Sequence, residues 1–221
     1  MCSSDLAILI IEQRSEEWFQ MRKGRMTSSE IYKIMGKGDF SETAKTYLLE
    51  KVCELYGGVT EPATGAALTW GTDLEPVAVE HYESLTKLKV DKASFIPIGN
   101  HYGGSPDGLI APEGIIEVKC PFKSANHFKH GMIDSAEKFK KIAPNYYWQC
   151  ISNMVCAEAR WCDFISYDPR VQEEFQMFIF RLHLTTEEAT AVMDRVEVAF
   201  EYMKELVKEI EAAKPKDLLL G

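Results

Sequence analysis

No C-x-x-C pair occurs in this sequence of 221 residues, so neither a zinc ribbon nor a thioredoxin-type redox motif is written in it. The cysteines stand at positions 2, 53, 120, 150, 156 and 162. The last three recur at intervals of six, which no standard zinc site uses, and they read as buried free thiols in a reducing cytosol. Positive charge is also short: 25 Lys and Arg face 34 Asp and Glu, a net charge of -9. That excludes an all-round basic coat of the kind many nucleic-acid binders carry. It leaves room for a local basic groove, because phosphate contacts need a few placed cations rather than a basic average. A carboxylate site for divalent metal is itself acidic. The apolar run Leu6 to Ile11 is too short for a signal core or a membrane span and is expected to form a first strand. A soluble, cytoplasmic protein with no membrane partner is the expectation. Internal repeats and low-complexity stretches are absent too.

What is present is an ordinary globular composition, 46% hydrophobic and 27% charged. It is enough for a core without disulfides, and we expect a single domain over residues 1–221. Ser15 caps a helix from Glu16 or Glu17, stopped by Gly24, and Thr27-Ser28-Ser29 opens a second helix carrying Ile31, Ile34 and Met35. Gly36 to Ser41 reads as a loop, and Glu42 to Tyr56 as a helix with Tyr47, Leu48, Val52 and Leu55 inward. Leu68 to Leu85 reads as a helix with Leu74, Val77, Ala78, His81 and Tyr82 on a buried stripe, and with Pro76 in its first turn or kinking it. The texture then turns to β: Leu88 to Ile98, a turn-rich strand over Gly103 to Ile110, the turn Ala111 to Gly114, and the strand Gly114 to Cys120. Phe122 to Lys141 and Asn145 to Cys156 read as helical, Arg160 to Tyr167 and Phe175 to Leu184 as strands. A capping box at Thr185 and Glu188 opens a long amphipathic helix. Together these give an α/β (α+β) protein, a central mixed sheet with helices on its faces.

Chemistry concentrates on one strand. In Ile115-Ile116-Glu117-Val118-Lys119-Cys120, alternation sends Ile116, Val118 and Cys120 to one face and puts Glu117 and Lys119 side by side on the other. Placing an acid and a lysine on the inner face of a central strand costs desolvation, so the pair calls for an explanation. Asp107 stands ten positions earlier in Ser105-Pro106-Asp107-Gly108, and the Ala111–Gly114 turn folds it back beside Glu117. Two carboxylates and one lysine then converge. Hard oxygen donors with positions left for water suit Mg²⁺, or Mn²⁺. A metal there polarises a phosphodiester and acidifies a bound water, while Lys119 orients that water or meets charge on the phosphate. The arrangement is the nuclease motif written PD-(D/E)xK. The plainer alternative is a Glu–Lys pair at a sheet edge beside a Pro-Asp-Gly turn.

Further blocks extend the pattern. They are Trp18…Arg22-x-Gly24…Thr27-x-Ser29-Glu30, Trp70-Gly71-x-x-x-Glu75, Gly104 to Leu109, Glu117 to Pro121, Tyr146 to Gln149, and Tyr167-Asp168-Pro169-Arg170. In this order, over nearly the whole chain from Trp18 to about Arg181, the sequence resembles the phage lambda exonuclease family, the YqaJ-like viral recombinase nucleases. The resemblance implies a restriction-endonuclease-like core and a metal-dependent 5′→3′ exonuclease. Such an enzyme degrades one strand of double-stranded DNA from 5′-phosphorylated ends and leaves 3′ single strands for recombination.

By resemblance, Asp107, Glu117 and the backbone carbonyl of Val118 are metal ligands, Lys119 is the catalytic lysine, and Glu75 completes the acidic set from a helix. Arg22, Ser29, Ser105 and Gln149 match a pocket for the 5′-phosphate, for which an arginine fork with hydroxyl and amide donors is suited chemistry. Leu68 matches an apolar wedge that splits terminal base pairs. The resemblance further implies a homotrimeric ring around DNA, a single-strand annealing protein as partner, and the host cell cytoplasm for a phage-encoded chain. The Gly36–Ser41 loop departs from the family's DNA-tracking segment. Lys123, Lys129, Lys138, Lys140 and Lys141 are candidates for a DNA path or for a solvated face. Two other functions stay open: an iron–sulfur exonuclease on the same core, for which the cysteine spacing is wrong, and a catalytically silent DNA-end-binding module, for which an acid or the lysine should be missing.

Overall fold

A computed structural model describes residue 11, residues 13–59 and residues 65–214. The strand expected over Leu6 to Ile11 lies outside these except for Ile11. In chain order the elements are α1 (Glu16–Arg22), β1 (Met26–Thr27), a 3-10 helix (Ser28–Lys33), α2 (Glu42–Leu55), α3 (Ala66–Thr86), β2 (Ile96–Ile98), β3 (Tyr102–Gly104), β4 (Gly108–Ile110) and β5 (Gly114–Lys119). They continue with α4 (Ser124–Gly131), α5 (Ala136–Ile142), α6 (Pro144–Cys156), β6 (Trp161–Tyr167), a 3-10 turn (Glu173–Phe175), β7 (Met177–His183) and α7 (Thr186–Ala212).

The strands make two mixed sheets flanked by helices, ordered β1-β3-β2 and β4-β5-β6-β7. β5 is the pivot of the larger one. It runs antiparallel to β4, with Gly108 opposite Ile116, and parallel to β6, with Lys119 opposite Ser166. Being parallel, β5 and β6 deliver their C-terminal ends, and the segments that follow them, side by side.

Two hydrophobic clusters sandwich this sheet. One face of β5 and β6 offers Ile115, Cys162 and Phe164 to α2, α6 and α7. The opposite face offers Ile116, Val118, Cys120 and Ile165 to Ala78 and Tyr82 of α3. The period of two read from the sequence is therefore the period that sorts β5 between two cores.

The local signals hold at two helix starts but not at Thr27, whose side chain makes no cap bond. Ser15 caps α1 by accepting from the Trp18 amide, and the Thr185–Glu188 capping box opens α7. Elsewhere tertiary packing revises the reading. Ser28 to Lys33 winds as a 3-10 helix rather than an α-helix. The stretch Gly103 to Ile110 is split between β3 and β4, which belong to different sheets. Of Leu88 to Ile98 only Ile96–Ile98 is a regular strand, apart from a bridge between Asp91 and Leu109. On α3 only Ala78 and Tyr82 are buried, and Val77 is exposed, because this helix meets the sheet along a narrow line. Pro76 lies inside the helix.

Candidate active site

The β4–β5 pairing brings Asp107 and Glu117 together as the hairpin predicts. The Asp107 amide donates to the Ile116 carbonyl at 3.1 Å, and its carboxylate Oδ2 accepts from the Val118 amide at 2.6 Å. Glu117 is fully buried. Its Oε1 accepts from Lys119 Nζ and, at 2.6 Å, from Gln149 Nε2, while Oε2 accepts from Asn153 Nδ2 at 2.8 Å. Lys119 Nζ also sits 5.0 Å from the centre of the Tyr146 ring. One strand thus supplies the acid–lysine pair, and one face of α6 supplies the groups that hold it.

The electrostatics are those of crowded acids. Burial and the Glu117 charge hold the Asp107 carboxyl well above the ordinary carboxylate range. Burial raises Glu117 as well, offset in part by Lys119 and Asn153. Burial works against the Lys119 ammonium, but Glu117 and Asp107 outweigh it and hold that lysine protonated. Two carboxylates share one cation, and the site is short of positive charge.

Glu75 projects from α3, which packs on the opposite face of β5. Its charge acts on both Asp107 and Glu117, and its own carboxylate pairs with Arg14 at 2.9 Å. Among the described residues no three His, Cys, Asp or Glu side chains gather into a ready-made metal cluster. The oxygen donors that fit a small hard cation are the Asp107 and Glu117 carboxylates, whose mutual repulsion a divalent charge relieves.

The proposed phosphate-binding residues separate into three and one. Arg22 Nη2 lies 3.5 Å from Ser29 Oγ, and its guanidinium stacks 4.0 Å from the centre of the Trp18 ring. Trp18 Nε1 in turn donates to Ser105 Oγ at 3.1 Å. Burial pulls the Arg22 guanidinium down to about 10, and among the described residues no carboxylate forms an ion pair with it. Gln149 is directed instead to Glu117. Leu68, in the first turn of α3, is 51% exposed and so is not a core leucine.

Asn153 and Arg14 are absent from the sequence reading, and Trp18 enters it only as the head of a motif block, with no role at the site. Asn153 was within reach of inspection, since it follows Gln149 by four residues and so shares its helix face. Arg14 pairs across 61 residues of sequence, and no local signal announces such a contact. Gly104 explains how α6 comes so near: a Cβ there would stand 2.5 Å from both Asn153 Oδ1 and Ser28 Oγ. Among the described residues the cysteines do not gather into one cluster. Cys150 and Cys162 meet each other in the core, whereas Cys156 meets Ser28 and Tyr102.

Residues 17–160 match the family described as YqaJ-like viral recombinase domain. The chain belongs to this family. Among solved structures, an alkaline exonuclease from Laribacter hongkongensis superposes with a TM-score of 0.78 at 30% identity, covering 90% of this chain and 97% of the other. The same enzyme in complex with dAMP gives 0.78 and 30% over 91% of this chain and all of its own. A phage-related exonuclease from Haemophilus somnus 129PT shares the fold, at TM-score 0.71 and 18% identity over 84% of this chain and 96% of its own. A search among curated proteins returns no match. The family match carries the Asp107 and Glu117–Lys119 hairpin within it. Asp168 and Arg170 lie beyond its end, although the Laribacter enzyme covers most of the chain.

Proposed function

We propose that this protein is a metal-dependent 5′→3′ exodeoxyribonuclease that degrades one strand of double-stranded DNA from a 5′-phosphorylated end and leaves a 3′ single strand. The observation that carries the reading is the Asp107–Glu117 pair, Glu117 fully buried and Asp107 partly so, served by a single lysine, in a chain whose family and structural relatives include exonucleases.

Asp107, Glu117 and the Val118 carbonyl would hold Mg²⁺, or Mn²⁺, with Glu75 available once it leaves Arg14. When bound, the metal would supply Lewis-acid polarisation of the phosphodiester and would acidify a nearby water. Lys119 stays cationic beside Glu117 and donates to the reacting phosphate or to the attacking water. Gln149 and Asn153 fix both oxygens of Glu117, so the acid does not have to reorganise during the reaction. Arg22, over the Trp18 ring, joins Ser29 and Ser105 in receiving the terminal phosphate dianion. Leu68 parts the terminal base pairs. On the resemblance alone, the reading extends to a single domain, a homotrimeric ring around DNA, a single-strand annealing partner and a cytoplasmic setting. Among the described residues no helix is long and apolar enough to cross a membrane.

The test is digestion of a 5′-phosphorylated linear duplex with Mg²⁺, comparing wild type with Lys119→Ala. A loss of at least about 10²-fold is expected. Equal rates, or digestion that needs no metal, reject the mechanism. Substituting 5′-hydroxyl ends tests Arg22 separately, since its advantage should vanish on them.

A further inference from the structure

The Tyr167-Asp168-Pro169-Arg170 block takes no part in the chemistry above, yet its contacts are among the most specific in the molecule. Arg170 grips the buried Asp168 through Nε and Nη2, both at 2.8 Å, and Nη2 also donates to the carbonyls of Pro121 and Phe122 at 3.2 and 3.1 Å. Its guanidinium lies 4.3 Å from the centre of the Trp70 ring. Because β5 and β6 are parallel, this clamp at the end of β6 stands beside the end of β5 and ties it to the head of α3.

What the clamp holds in place is an aromatic surface. Phe122 is 48% exposed although its backbone is pinned, and its ring meets Trp70 edge-on at 6.2 Å. The Trp70 indole N–H is buried and bonds to no described residue. A flexible exposed phenylalanine is a liability, whereas an anchored one is a preformed contact. Leu68 projects into solvent two residues before Trp70.

The surrounding charge selects the occupant. From Val118 to Ile133 this acidic chain has no Asp or Glu and carries Lys119, Lys123 and Lys129. Lys123 is exposed next to Phe122. On α3 the first acid is Asp73, nearly a turn beyond Trp70. Exposed aromatic faces set among cations are the elements from which single-strand binding surfaces are made, since every base has a face to stack. Three residues separate Phe122 from Lys119, a span of at most about 11 Å. That is about three stacked base steps at 3.4 Å each.

We infer that Phe122, framed by Trp70 and Lys123 and fixed by Arg170, is a stacking platform for unpaired bases of single-stranded DNA beside the cleavage site. The inference rests on the nuclease reading. Phe122 and Lys123 provide the binding, and Arg170 acts only as a positioning residue.

The experiment is equilibrium binding of a fluorescent oligothymidylate to the Lys119→Ala protein, which is silenced for cleavage, with Phe122→Leu, Phe122→Tyr or Lys123→Glu added. Phe122→Leu keeps apolar bulk and loses the π face, so about tenfold weaker binding is expected. Phe122→Tyr should stay within about twofold, and Lys123→Glu should weaken binding and flatten its salt dependence. A 5-iodouracil oligonucleotide, irradiated with the otherwise unaltered Lys119→Ala protein, should cross-link to the peptide containing Phe122 or to that containing Trp70, a readout that needs no substitution on the platform. Equal affinity for the Leu and Tyr variants, no binding by the parent, or cross-links confined to other peptides overturns the platform. Duplex digestion by the wild type is scored separately, so failure of the platform and failure of the nuclease reading are distinguishable.

Discussion

Glu117 and Asp168 are both fully buried carboxylates near the C-terminal ends of neighbouring parallel strands, and their surroundings drive them in opposite directions. Around Asp168, burial would raise the carboxyl, but the Arg170 guanidinium and the Ser124 hydroxyl outweigh it and hold it at about 2. Around Glu117 the donors are two amides and one lysine, that lysine also compensates Asp107, and both acids are held above their usual range. Burial does not distinguish these two acids. The supply of fixed positive charge does: a matched guanidinium closes a site, and a deficit leaves it able to take a cation.

The largest effect should come from Glu117→Gln. Nuclease activity is expected to fall by about 10³-fold or more. Stability without metal, measured by urea unfolding, should rise by about 1 kcal/mol as repulsion with Asp107 disappears. Lower stability together with retained activity would break the comparison.

Asp168→Asn is its mirror image. Leaving Arg170 without its partner should cost about 2–3 kcal/mol in the same assay, with activity reduced far less than in Glu117→Gln. The pH dependence follows from the sign of the shift. A carboxyl held at about 2 when folded and near about 4 when unfolded contributes stability that is complete above about pH 4 and lost as pH falls toward about 2. Acid unfolding of wild type should therefore steepen in that window, and Asp168→Asn should lack that component.

The smallest effect is thermal. Mg²⁺ at about tenfold above its dissociation constant should stabilise the wild type by about 1.4 kcal/mol, a rise of about 3–6 °C in Tm. It should leave Glu117→Gln unmoved. An equal rise in both would place the cation elsewhere.

Much of β5 was legible because a strand has a period of two and the hairpin turn has a length. Those two facts made Glu117 and Lys119 neighbours and brought Asp107 to them. Gln149 was legible by resemblance, but its contact with Glu117 was not, and Asn153 beside it could have been read from its four-residue spacing alone. The 3-10 winding of Ser28 to Lys33 was hidden because packing against α6 decides it. So was the division of Gly103 to Ile110 between two sheets, since a short glycine-rich run carries too few side chains to fix its pairing. Arg14 with Glu75, and Arg170 with the Pro121 and Phe122 carbonyls, join segments 61 and about 48 residues apart, beyond the reach of any periodicity.

By itself, the sequence determined the chemical inventory of the site and the face of β5 on which it lies, because alternation and turn length are local properties of a chain. Tertiary structure alone decided how many cations each buried acid receives. Charge compensation is settled by which distant segments pack together, and here that packing gave Asp168 a guanidinium of its own and left Asp107 and Glu117 to share Lys119.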